Sequence, residues 1–71
     1  MFEVVIWLCK EENEAIRLMN KLKKANIETT LCQNGKVFKV LYNVYDNKKE
    51  AEIATKLIEK IGFTSFIIYN L

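Results

Sequence analysis

Residues 40–63, "VLYNVYDNKKEAEIATKLIEKIGF", decide the fold, because residues 4–27, "VVIWLCKEENEAIRLMNKLKKANI", carry the same pattern 36 positions earlier without a gap. At that offset Phe2 meets Phe38, Val4 meets Val40, Glu14 meets Glu50 and Ala15 meets Ala51. Ile6 meets Tyr42, Leu18 meets Ala54, Leu22 meets Ile58, Ile27 meets Phe63 and Leu31 meets Ile67, so apolar positions coincide throughout. Asn26 falls on Gly62, and both residue types accept the left-handed backbone that ends a helix. Each half therefore reads strand, helix, strand.

Local signals agree. Residues 2–8 form a run rich in β-branched and aromatic residues without helical period, which predicts a strand. From Glu12 to Ala25 the apolar positions Ala15, Leu18, Met19, Leu22 and Ala25 follow the three-four spacing of one helix face. Glu11, Glu12 and Glu14 stand at its start and Lys23 and Lys24 at its end, the order that the helix dipole favours. In the second half Asn47 and Glu50 have capping-box spacing, Ala51, Ala54, Ile58 and Ile61 form the buried stripe, and Gly62 stops the helix. Ile53 and Leu57, beside that stripe, are expected to pack between the helices. "CQNGKVF", residues 32–38, sets Asn34-Gly35 between two β-prone runs, which predicts a hairpin with those two residues central in a type I′ turn.

The order β-α-β-β-α-β over residues 1–71 is a ferredoxin-like, split βαβ arrangement of the α+β class in one domain. Right-handed crossovers place both helices on one side of a four-stranded antiparallel sheet, with the first and third strands central. The other face is left uncovered. Strand alternation, with Phe2, Val4 and Ile6 inward, turns Glu3, Val5, Trp7 and Cys9 outward, and the same parity turns out Lys39, Leu41, Asn43 and Tyr45. On the edge strands Thr30, Cys32, Phe66 and Ile68 point outward. The candidate binding face is thus Val5, Trp7, Lys39, Leu41, Asn43, Tyr45, Phe66 and Ile68. A slip of one residue would instead bury Trp7, because Val5, Ile6 and Trp7 are apolar on both parities. An apolar patch of that extent on a lone domain implies a partner.

Composition narrows the classes. The 71 residues carry a net charge of +2, no histidine and no proline. That charge is too small to point by itself to nucleic acid or an anionic membrane. Without histidine, a glycine-rich phosphate loop or a nucleophile beside a base, the chain lacks the usual catalytic machinery and is read as no enzyme. Cys9 and Cys32 have neither disulfide-framework number nor C-x-x-C spacing, so no metal and no cofactor is expected, and the two are read as free thiols near opposite ends of the sheet. With no apolar run near 18 residues and no export signal, the chain as given reads as cytoplasmic, without a membrane span. An excised piece of a longer exported protein would instead belong to the cell envelope.

The two repeats resemble the small bacterial SPOR domains, named for sporulation-related cell-wall proteins. The resemblance runs through Ala15, Leu18, Leu22 and Asn26-Ile27 in the first half and Ala51, Ala54, Ile58 and Gly62-Phe63 in the second. It implies a module that binds peptidoglycan glycan strands lacking stem peptides on the uncovered sheet face. Val5 stands where that family often has glutamine, Trp7 and Asn43 where it has glycine, and Cys9 where it has phenylalanine, while Tyr45 keeps an aromatic. Trp7 and Tyr45 would stack on sugar faces, and Asn43, Gln33 and Lys39 would supply hydrogen bonds. The alternative is a protein partner, either a second copy in a homodimer or a cellular target, with Trp7, Phe66 and Ile68 as anchors. Nucleic acid is disfavoured, because "KVFKVLYNV" lacks the glycine-aromatic pattern of RNA-recognition modules and the face is more aliphatic than basic.

Overall fold

The computed structural model describes residues 1–70, in the order β1 (Phe2–Cys9), α1 (Glu12–Lys24), β2 (Thr30–Asn34), β3 (Val37–Tyr45), α2 (Lys48–Ile61) and β4 (Phe66–Tyr69). The four strands form one antiparallel sheet in the order β2-β3-β1-β4. Val4, Ile6 and Val40 of the central strands share one buried cluster with Ala15 and Leu22 of α1 and Ala51, Ala54 and Ile58 of α2, so both helices lie on the same face. The Cα atoms span 32 × 28 × 14 Å, a thickness that fits one sheet and one helix layer and leaves the second sheet face without cover.

The duplication is written into the hydrogen-bond register. Phe2 pairs with Tyr45, and exchanging each partner for its equivalent in the other repeat gives the observed pair Phe38 with Cys9. Likewise Phe2–Tyr69, Glu3–Ile68, Val4–Ile67 and Val5–Phe66 at one edge correspond to Phe38–Gln33, Lys39–Cys32, Val40–Leu31 and Leu41–Thr30 at the other. The halves are thus related by a pseudo-twofold axis at the Val5–Leu41 pair.

Both helices end by the same device. The N–H of Ile27 donates to the Leu22 carbonyl at 2.8 Å and that of Phe63 to the Ile58 carbonyl at 3.1 Å, closing equivalent last turns. Asn26 at φ 64° and Gly62 at φ 110° supply the positive φ that each closure needs. No atom would meet a Cβ at Gly62, so Gly62→Ala carries backbone strain alone and should lower stability by about 1–2 kcal/mol in urea titration. Asn26→Gly, at a position already left-handed, should change it by far less.

Several expectations need correction. In the hairpin Asn34 still pairs with Val37, so the central residues are Gly35 and Lys36, with positive φ at Gly35 (64°) but not at Lys36. That is the pattern of a type II′ turn, which places glycine first. At α2, Asn47 caps as expected, its side-chain oxygen accepting from the Lys49 N–H at 2.7 Å, but it reaches the second N–H of the helix instead of that of Glu50. Ile53 and Leu57 do not pack between the helices: they are 59% and 53% exposed, and α1 and α2 each grip the sheet with at most marginal contact between them.

The cysteines also sit elsewhere than expected. β1 and β2 are both antiparallel to β3 and therefore parallel to each other. Cys9 lies opposite Phe38 and Cys32 opposite Lys39, in adjacent rows at the same end of the sheet. Two strand spacings of about 4.8 Å separate their strands. Cys9 packs on the helix-side core while Cys32 shares the other face with Lys39, and both thiols are free.

Candidate functional site

The uncovered face is shaped by two irregularities in the central pair. Between Val4 and Trp7 the register with β3 shifts twice, leaving Ile6 on β1 and Tyr42 on β3 without a direct partner. These are β-bulges related by the pseudo-twofold, since Ile6 and Tyr42 are repeat equivalents. Each bulge puts two successive residues on the helix side and reverses the alternation beyond it.

Trp7, Asn43 and Tyr45 are therefore placed differently from simple alternation. Trp7 pairs with Val40 and Asn43 with Val4, both partners buried under the helices, and Tyr45 packs against the core cluster. Trp7 nevertheless remains 42% exposed. Burial holds the Tyr45 hydroxyl above its ordinary pKa, helped by Tyr42 and opposed by a hydrogen bond with Asn43. Trp7 and Asn43 both keep negative φ, so these bulges form without the glycine that the SPOR pattern carries there.

Val5, Lys39, Leu41, Phe66 and Ile68 do share the uncovered face, as read from the sequence. Val5 pairs with Leu41 on one side and Phe66 on the other, and Glu3 with Ile68. The bulges add Leu8, opposite Lys39, and Val44, opposite Glu3, neither of which simple alternation had placed there. Val5 is fully buried although no helix covers it. Its cover comes from within the face: Glu3 precedes Val5 by two residues and Lys39 precedes Leu41 by two on the antiparallel neighbour, so their ion pair crosses the Val5–Leu41 pair diagonally.

That ion pair organises the polar chemistry. Lys39 Nζ donates to Glu3 Oε1 at 2.5 Å, with the two side chains only 24% and 14% exposed. The amide of Asn70 donates to Glu3 Oε2, and Asn70 is held in turn by backbone bonds with Met1. Both carboxylate oxygens are thus engaged, while Lys39 keeps further N–H donors for another acceptor. Beside the pair lies a shallow depression of about 330 Å³ bordered by Leu8, Asn34, Val37, Ile68 and Asn70. Phe66, 40% exposed, offers an aromatic ring on the same face. The arrangement joins apolar surface to a few oriented donors and acceptors, the mix that binds small polar-apolar ligands.

Among the described residues no group of three or more potential metal-ligating side chains comes together, and no helix is long and apolar enough to cross a membrane. No family model and no curated protein matches the sequence. Among solved structures, the chain is similar in fold to the peptidoglycan-binding domain of the Bacillus subtilis cell wall lytic enzyme CwlC, with a TM-score of 0.82 and 17% identity over 99% of this chain and 89% of that one.

Proposed function

We propose that this chain is a non-catalytic module that binds bacterial peptidoglycan glycan on the helix-free sheet face, and so works at the cell envelope. The observation that carries the reading is the full-length likeness in fold to a peptidoglycan-binding domain. The site chemistry is compatible with it. A sugar ring presents C–H faces that suit Phe66, Ile68 and Leu8, and hydroxyl and N-acetyl groups that suit Lys39, Asn34 and Asn70. Leu41 and Val5 form the floor. Trp7, Asn43 and Tyr45, turned toward the helix side by the bulges, are left out of the glycan contact.

Cosedimentation with purified sacculi tests the reading. The protein should pellet with sacculi and be released by soluble glycan strands freed of stem peptides. A protein that stays in the supernatant while sedimenting as a dimer would favour a protein-binding face instead.

A further inference from the structure

The helix layer carries a second apolar surface that the core does not use. On α2, Ile53, Leu57 and Ile61 follow at intervals of four and are 59%, 53% and 50% exposed. The internal duplication serves as a control on their meaning. The offset of 36 sets Arg17 and Lys21 of α1, and Ala25 just past its end, at the equivalent positions, so the same architecture is built in the other half with two cations there. The fold does not require apolar side chains at Ile53 and Leu57.

The surroundings say what would cover them. The stripe borders a notch of about 220 Å³ between α2 and β3, with Tyr42 and Tyr45 on the sheet side and Glu50, Ala54, Ile53 and Leu57 on the helix side. Along its outer border stand Lys49, Lys56 and Lys60, all exposed. Each lies three or four residues from Ile53 or Leu57 and is its neighbour on the helix surface. Glu52 and Glu59 are turned about 100° or more away from Ile53 around the helix. Glu50 sits in the first turn, where the helix dipole favours a carboxylate.

We propose that this stripe is a docking groove for an acidic amphipathic helix of a partner protein. Apolar side chains at intervals of three and four would enter the notch and cover Ile53 and Leu57, and flanking carboxylates would meet Lys49, Lys56 and Lys60. Charge argues against a second copy set antiparallel on the same stripe, since the two lysine rows would face each other. Shape argues against a flat lipid surface, which would leave the notch between α2 and β3 unfilled. The groove lies on the opposite side of the molecule from the proposed glycan face and is independent of it.

The test uses a helix-forming peptide of about 15 residues with leucines at intervals of three and four between glutamates, and a twin with lysines in place of the glutamates. The glutamate peptide should bind, shift the resonances of Ile53, Leu57 and Tyr45, and bind at least about tenfold more tightly than its twin. The double variant Ile53→Arg, Leu57→Lys, which installs on α2 the side chains that α1 already carries, should stay folded, keep its behaviour toward sacculi and lose the peptide. Lys56→Glu with Lys60→Glu should reverse the preference between the two peptides. Equal binding of both peptides, a double variant that fails to fold, or stripe variants that instead abolish self-association or binding to phosphatidylglycerol vesicles would each overturn the proposal.

Discussion

Replacing Leu22 or Ile58 by alanine is expected to destabilise the protein by about 2–5 kcal/mol. Leu22 and Ile58 are 0% and 1% exposed, are the largest fully buried side chains, and sit at equivalent places of the two repeats under the same sheet. A domain this small stands toward the lower end of the usual 5–15 kcal/mol of stability, so either truncation should leave a sizeable unfolded population in water. The two costs should be similar, because each removes a γ- or β-branched aliphatic from one end of a pseudo-symmetric core. Urea titration of both variants beside Ile53→Ala checks this: the exposed Ile53 should lose less than about 0.5 kcal/mol. Costs for Leu22 and Ile58 no larger than that of Ile53 would mean that the helices are not seated as described.

The second large effect concerns binding. Phe66→Ala combined with Ile68→Ala should lower affinity for sacculi at least about tenfold, as truncation of central apolar anchors does at other interfaces. The fold should survive, because both side chains lie on the face without helices and Phe66 is 40% exposed. Lys39→Ala should weaken binding as well, by removing donors and freeing Glu3 to repel or desolvate poorly. Trp7→Ala should leave binding near that of the parent, since Trp7 pairs with Val40 on the helix side. Pelleting assays with circular dichroism on each variant separate loss of contact from loss of fold.

The contrast between Trp7 and Phe66 shows where the sequence was legible. The repeat at offset 36 placed every element, because scaffold chemistry is periodic: Ala15 and Ala51 must be small, Leu22 and Ile58 must be large, and Asn26 and Gly62 must turn left-handed. Phe66 and Ile68, on a strand without irregularity, fell on the face that alternation assigned to them. Trp7, Asn43 and Tyr45 did not, because a bulge inserts a single residue and reverses parity from that point on. In "VVIWL" and "VLYNV" apolar residues occupy both parities, so hydrophobic pattern carried no mark of the insertion.

One relation does hold the information. Phe2 and Phe38 are repeat equivalents and share a face, and Tyr45, opposite Phe2 in the ladder, shares it too, yet Phe38 and Tyr45 are separated by an odd number of positions on β3. Only an extra residue between them reconciles the two. Glu3 and Lys39, also on the face that alternation assigned to them, are repeat equivalents of opposite charge that meet across the axis.

An amide chemical-shift titration with soluble peptidoglycan glycan strands freed of stem peptides locates the binding face residue by residue. The shifts should gather on Lys39, Leu41, Phe66 and Ile68, with Asn34 and Leu8 at their margin, and α1 and α2 should stay unperturbed. Shifts confined to α2 or to the surroundings of Trp7, or none at saturating glycan, would contradict the assignment of the helix-free sheet face as the glycan site.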